Sequence, residues 1–270
     1  MPLTPHVCEN CGFWQQYFTT PPACPVCTDV RNDLPEDGWH FTTAATLATR
    51  VTTIWREIVP GIFGFTTEPV VGLGGTGWLV LRDDGNIAYE AAGYYDTKAL
   101  DFIASHGGLA FASTSHPHGC GALWQLQDRF APELPLHRDG LAWSKAFRVT
   151  LPYDATLDLA PGITLHHIGG HYEGHALLHD ARKRAVFCGD ALKIERDERG
   201  VPIALSAHKA YHKAIPLTPG ELAHYRAVFA ALEFDHVFTT FDDAPLERAR
   251  VLAFFDELAA MRPSTQPLHL

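Results

Sequence analysis

Two histidines, His116 and His118, lie one residue apart in the short polar stretch at residues 115–121. The apolar run at residues 109–112 leads into this stretch and predicts a buried strand. A strand end holds its side chains in place, and two imidazoles so close in sequence can bind one metal ion. The stretch therefore predicts the reactive centre of the protein, with His116 and His118 as ligands of a divalent metal.

Two further polar clusters follow predicted strands later in the chain. His171 lies in a Gly-His-Tyr-Glu-Gly-His sequence, and Asp190 lies in a Cys-Gly-Asp sequence. Open α/β sheets place their sites at the carboxyl ends of strands, so these side chains can converge with His116 and His118. Three imidazoles and a carboxylate can hold one ion, either Zn or another divalent transition metal such as Fe or Mn, and leave one position for water.

Four cysteines near the N-terminus form a separate pattern. Two Cys-x-x-Cys pairs, Cys8 with Cys11 and Cys24 with Cys27, are separated by twelve residues. Four thiolates complete a closed tetrahedral shell, which is typical of a structural zinc site. A segment this short needs the metal in order to fold. An iron site of rubredoxin type and a pair of redox-active thiols remain alternatives.

Composition restricts the partners and the compartment of this 270-residue chain. Asp and Glu outnumber Lys and Arg by 31 to 21, which disfavours a nucleic-acid partner and favours a small-molecule substrate. The sequence contains neither the run of about 18 apolar residues typical of a membrane helix nor a signal-peptide pattern. We therefore expect a cytoplasmic protein without a membrane partner, and no oligomeric state is predicted.

The chain is predicted to contain three parts. Residues 1–35 form the four-cysteine ribbon, residues 36–60 form a linker and entry segment, and residues 61–270 form the main domain. In the main domain, Asp96 is predicted to cap a helix before the strand that leads to His116. The glycine-rich run at residues 72–77 lies between two predicted strands, and a turn with close backbone contacts is favoured over a phosphate loop.

These motifs resemble the metallo-β-lactamase-fold hydrolase superfamily, whose members carry His-x-His-x-Asp-His, a later Gly-His-x-x-Gly-His, and Gly-Asp after another strand. The resemblance covers about residues 60 to 260, and the four-cysteine zinc ribbon before it is similar to that of an uncharacterised subgroup. It implies an α+β fold, an αββα sandwich with the metal site at one rim of two packed sheets. It also implies that His116, His118 and His171 form the first metal site, and that Asp190 is the aspartate that bridges two metals.

Two departures from the family pattern concern the second metal. Cys120 and Gly121 stand where the family has Asp and His, and residues 238–242 lack the last His of the family. The sequence is therefore compatible with a site of one metal or of two. Cys120 is a further candidate ligand through its thiolate. The other side chains that a second ion could recruit are His175, His208, His212 and Asp242.

The function predicted from these residues is a metal-dependent hydrolase with a non-standard site. His116, His118, His171 and Asp190 would hold the ion, and a water on it would attack an ester, thioester, lactone, amide or phosphoester. Asp190 or another group would accept the proton. The alternative is a non-catalytic ligand-binding or regulatory protein on the same scaffold. A nucleic-acid processing enzyme guided by the ribbon is a third hypothesis, disfavoured by the net charge of −10.

Overall fold

The computed structural model describes residues 2–270, which form two compact units. Unit 1 is Met1–Tyr153 and unit 2 is Asp154–Leu270. None of the helices within residues 2–270 has the length and the hydrophobicity that a bilayer-spanning segment requires. The cytoplasmic location stays a prediction.

The strands of unit 1 are β1 Thr4–Cys8, β2 Trp14–Tyr17, β3 Phe41–Thr43, β4 Thr52–Val59, β5 Ile62–Glu68, β6 Gly77–Val80, β7 Ile87–Tyr89, β8 Phe111–Ser113, β9 Pro135–His137 and β10 Leu151–Tyr153. They form a five-stranded sheet with the order β4-β5-β6-β7-β8, a three-stranded sheet with the order β2-β1-β3, and a parallel pair, β9 and β10. Its helices are α1 Ala44–Leu47, α2 Thr97–Ser105 and α3 Leu123–Phe130.

A strand-helix-strand unit delivers the chain to His116. The Asp96 carboxylate accepts a hydrogen bond of 2.9 Å from the backbone N–H of Ala99, so it caps α2 as the sequence predicts. After α2, strand β8 pairs in parallel with β7, which precedes the helix. Parallel strands end at the same edge of a sheet, so the residues that follow β7 lie beside those that follow β8.

The four-cysteine segment shares its core with the rest of unit 1. Strand β1 pairs with β2 on one side and with β3 on the other, and the buried cysteines belong to the same hydrophobic cluster as the five-stranded sheet. The predicted linker, residues 36–60, contains β3, α1 and β4. The predicted domain boundaries at residues 35 and 60 stay a prediction.

The strands of unit 2 are β11 Thr156–Ala160, β12 Ile163–His167, β13 Ala176–Asp180, β14 Ala185–Phe187, β15 Lys193–Arg196, β16 Pro202–Ser206, β17 His208–Ala210, β18 Ile215–Pro216, β19 His236–Phe238, β20 Asp243–Ala244 and β21 Leu268–His269. They form a six-stranded sheet with the order β11-β12-β13-β14-β19-β20, a three-stranded sheet with the order β15-β16-β21, and a pair, β17 and β18. Its helices are α4 Pro219–Ala230 and α5 Arg248–Ala260.

Helix α4 begins at a capping box. The Thr218 hydroxyl accepts from the backbone N–H of Glu221, and the Glu221 carboxylate accepts from the backbone N–H of Thr218 at 2.8 Å. The buried face of α4 carries Tyr225 and Phe229, which pack on Phe255 of α5. The cap and this packing fix the position of α4, and with it the Tyr225 hydroxyl.

Candidate metal centres

The four N-terminal cysteines form a buried cluster in unit 1. Their sulfur atoms all lie within 4.8 Å of one another, with 3.8 Å between the Sγ atoms of Cys8 and Cys27 and 3.5 Å between those of Cys11 and Cys24. A tetrahedral ion with Zn–S bonds of about 2.3 Å requires sulfurs about 3.8 Å apart. Hydrogen bonds from Cys11 and Cys24 lower the pKa of both Cys8 and Cys27. The cluster therefore fits one thiolate-bound metal ion.

His116 and His118 lie in the segment after β8, residues 115–122, which we call the ligand loop. His116 has extended backbone angles, and a 3₁₀ turn follows it at Pro117–Cys120. This turn brings the two imidazole centroids to 5.3 Å, with the rings nearly perpendicular. His116 is 4% exposed and His118 is half-buried. The predicted pair is therefore assembled within unit 1.

A buried carboxylate, Glu90, supports His116. The Ser115 hydroxyl donates a short hydrogen bond to Glu90, and its oxygen lies 2.7 Å from Nδ1 of His116. Since the single hydroxyl proton is given to Glu90, the serine oxygen accepts the Nδ1 proton of His116. This fixes the tautomer in which Nε2 is the nitrogen that can bind an ion.

Glu90 is a candidate functional residue that the sequence motifs did not indicate. It directly follows β7 and is 1% exposed, and its φ of +59° is rare for a residue other than glycine. Backbone strain of this kind is often found at functional sites. No local sequence signal marks Glu90, because its approach to His116 depends on the parallel pairing of β7 with β8.

In unit 2, His171 and Asp190 form a second pair. The Nε2 atom of His171 lies 3.6 Å from Oδ2 of Asp190. This separation is too long for a good hydrogen bond, but it is close to the distance of about 3.3 Å between two ligands of one tetrahedral ion. Nδ1–H of His171 donates to the carbonyl of His208 at 3.2 Å, so Nε2 is again the nitrogen that can bind a metal.

The Tyr225 hydroxyl holds the backbone of His171. It donates to the carbonyl of Gly169 at 2.8 Å and accepts from the backbone N–H of His171 at 3.1 Å. Burial raises the pKa of Tyr225, so the phenol stays protonated and keeps both bonds. Close packing excludes any side chain at position 170, because a Cβ atom there would lie 2.5 Å from the Tyr225 hydroxyl.

We expect Tyr225→Phe to lower the free energy of unfolding by about 1–3 kcal/mol, because a buried hydroxyl that makes two hydrogen bonds is lost. Metal affinity at His171 should also fall, by about tenfold. Urea denaturation and a zinc titration measure the two effects. Tyr17→Phe, at an exposed ring, is the control. Equal values for both variants would contradict the role assigned to Tyr225.

Cys120 and Gly121 occupy the two loop positions at which the family has ligands of a second metal. The Cys120 thiol donates to the carbonyl of His116 at 3.6 Å, and burial raises its pKa to about 12. A Cβ atom at Gly121 would lie 2.1 Å from the carbonyl oxygen of Ala91 and 2.6 Å from that of Ala92. Position 121 therefore has no room for a side chain, and Cys120 as a ligand stays a prediction.

The other candidates for a second metal have different contacts. The Asp242 carboxylate accepts from Nε of Arg196 at 2.8 Å, which neutralises it. Nε2 of His175 donates to the carbonyl of Cys188 at 3.0 Å, and its ring lies 5.6 Å from that of His171. His208 stacks on Tyr211 at 4.2 Å. His175 and His208 thus lie around His171 and support it, and His212 as a ligand stays a prediction.

Comparison with known families identifies the class of this protein. The profile of the metallo-beta-lactamase superfamily matches residues 87–233, which include His116, His118, His171 and Asp190. The chain belongs to this superfamily, whose members are typically metal-dependent hydrolases.

The chain is also similar to individual proteins. The chain is 26% identical over 258 residues to the uncharacterized protein YmaE of Bacillus subtilis, and the match covers 90% of this chain and 91% of YmaE. The metallo-beta-lactamase FIM-1 from Pseudomonas aeruginosa, in its mono-zinc form, has a TM-score of 0.56 at 13% identity, over 78% of this chain and 96% of FIM-1. A metallo-beta-lactamase from Hirschia baltica has a TM-score of 0.53 at 13% identity, over 76% of this chain and 97% of that protein.

These structural similarities show the fold. The predicted class, an α+β metallo-β-lactamase sandwich preceded by a four-cysteine ribbon, is confirmed. Both predicted groups of side chains that could bind metal are present, the four-cysteine cluster and the group of histidine and aspartate side chains.

Proposed function

We propose that this protein is a metal-dependent hydrolase in which His116, His118, His171 and Asp190 together bind one divalent ion. The observation that carries the proposal is that each pair of ligands is assembled within its own unit. In both units the Nδ1–H of a histidine is held by an acceptor, the Ser115 oxygen for His116 and the His208 carbonyl for His171. Two imidazoles are thus oriented with Nε2 available to one ion, as in other histidine-bound metal sites.

Each of the candidate site residues has its own role in the proposed hydrolysis. A divalent ion held there would supply Lewis-acid polarisation of the scissile bond and lower the pKa of a bound water. The histidines would hold and orient the ion, and Glu90 and Ser115 hold the His116 ring. The Asp190 carboxylate, 3.6 Å from His171, is the group we assign to accept the proton of the attacking water. The substrate class is an ester, thioester, lactone, amide or phosphoester.

We further propose that the site holds one ion rather than two. The position of the family's second-site histidine is a glycine packed against two carbonyl oxygens, and Asp242 is paired with Arg196. FIM-1, which has the same fold, was solved in a mono-zinc form. The identity of the ion, Zn, Fe or Mn, is open because imidazole and carboxylate ligands suit all three.

The test is metal stoichiometry combined with hydrolysis. We expect two ions per chain, one in the ribbon and one in the proposed site, and one ion in the Cys8→Ser, Cys11→Ser variant. A panel of esters, thioesters, lactones, amides and phosphoesters is assayed with and without a chelator. Activity that disappears with the chelator and returns with metal supports the proposal.

Three other outcomes would count against parts of this proposal. One ion per chain, lost in the cysteine variant, would favour the alternative of a ligand-binding or regulatory protein. Three ions would contradict the single-ion site. Salt-sensitive binding to RNA or DNA would favour nucleic-acid processing over the small-molecule substrate proposed here.

A further inference from the structure

The four-cysteine ribbon contacts the rest of unit 1 through its first Cys-x-x-Cys turn. Gly12, which follows Cys11, lies directly against Gly72 of the glycine-rich run. A Cβ atom at Gly72 would lie 2.1 Å from the backbone nitrogen of Gly12 and 2.5 Å from the carbonyl carbon of Cys11. Backbone therefore meets backbone at this point, and the turn that holds Cys11 cannot move without the run that leads into β6.

A second contact is made by Trp14, the first residue of β2. This ring is 1% exposed, and its Nε1–H donates to the carbonyl of Gly93 at 2.9 Å. Its ring centroid lies 5.3 Å from that of Trp124, the second residue of α3, with the two rings tilted by 59°. Helix α3 begins directly after the ligand loop. Trp14 thus reaches both the segment after β7 and the helix after the ligand loop.

The segment after β7, residues 90–93, is bonded in turn to the ligand loop. The backbone N–H of Ala91 donates to the carbonyl of Gly119 at 2.9 Å, and that of Ala122 donates to the carbonyl of Ala92 at 2.8 Å. The carboxylate of Glu90 accepts from Ser115, as described above. The segment therefore lies between the ribbon and the loop that carries His116 and His118.

We propose that the ribbon is a positioning element for the ligand loop and that Trp14 is the residue through which it acts. Loss of the ribbon metal, or of the Trp14 to Gly93 hydrogen bond, loosens residues 90–93 and with them the loop. The consequence for the active-site ion rests on the proposed function, because it assumes that His116 and His118 bind that ion.

The physical reason is coupling between two sites through one shared segment. If order in the ribbon favours order in the ligand loop, then an ion in the ribbon raises the affinity of the loop for its own ion. The reverse must hold by the same factor. Coupling between two sites of one protein typically changes the affinity of each by about 5- to 150-fold.

Hydrogen exchange tests the coupling without any need for an ion at His116. In Trp14→Phe, which keeps a ring but loses the N–H, we expect the amides of Ala91 and Ala122 to exchange about fivefold faster, the factor that corresponds to one hydrogen bond. The full chain with its ribbon metal is used. Trp55→Phe is the matched control, because its ring packs on Phe65 and Phe102 of the same unit.

A second comparison uses the wild-type chain with and without its ribbon metal. Removal of the ribbon metal should raise hydrogen exchange at the amides of Ala91 and Ala122. In a separate measurement, by competition with a chromogenic chelator, the zinc affinity of the proposed histidine and aspartate site should be about tenfold lower in Trp14→Phe than in the wild type. Exchange equal to that of Trp55→Phe would overturn the proposal. Faster exchange in a chain that binds no second ion would support the coupling and refute the proposed hydrolase site.

Discussion

His116→Ala is expected to lower the rate of hydrolysis by about 10³-fold or more, because a bound metal contributes several kcal/mol to the transition state and each 1.4 kcal/mol is a factor of ten. The variant should keep its ribbon ion and lose the other one. Metal content per chain and the rate on the substrate found in the panel are the two measurements. Loss of the second ion together with loss of hydrolysis would show that both depend on His116.

The control is His224→Ala, an identical change at an exposed position of α4. This variant should retain its metal content and its rate. If His116→Ala kept a rate within threefold of the wild type, the assignment of His116 as a ligand would be wrong. If it lost the rate but kept two ions, His116 would act in some other way than by holding metal.

The candidate ligands could be placed from sequence because their positions depend on local signals. An apolar run, an Asp at a helix cap and glycines after a helix define β8 and its end without knowledge of the rest of the fold. His116 follows that end directly. His171 and Asp190 follow β12 and β14 in the same way. Predicted strand ends are therefore enough to identify candidate site residues that follow those strands in sequence.

Glu90 could not be found in this way. Its approach to His116 depends on the parallel pairing of β7 with β8, two strands separated by helix α2. Nothing in the residues around position 90 distinguishes a carboxylate beside a candidate metal ligand from one that ends a hairpin. The strands between β14 and α4 were missed for a related reason, since they pair mainly with each other and carry short, mixed sequences.

The role of the glycine-rich run was only half predicted. A turn with close backbone contacts was expected at residues 72–77, and the structure places Gly72 in such a contact. Its partner, Gly12, belongs to the ribbon, and sequence alone could not match two glycines sixty residues apart. The link between the ribbon and the ligand loop therefore emerges only from the three-dimensional structure.

Gly121→Ala is expected to lower the free energy of unfolding by about 3 kcal/mol or more, the sum of backbone strain and overpacking of about 1–3 kcal/mol each. Gly121 has a φ of +39° and a ψ of −141°, and its missing Cβ would lie 2.1 Å from the Ala91 carbonyl oxygen. Urea denaturation measures the loss. Gly220→Ala is the control, because no atom lies within 4 Å of a Cβ there and α4 should not be weakened.

The same geometry predicts the result of Gly121→His, which would restore the residue that the family pattern has at this position. An imidazole needs the Cβ atom that Ala91 and Ala92 exclude, so the change should destabilise the chain without adding a bound ion. Metal content at two ions per chain, or below, in this variant would support a single-ion site determined by packing. A third ion, with stability unchanged, would show that the loop can open and that only the missing side chain limits the site.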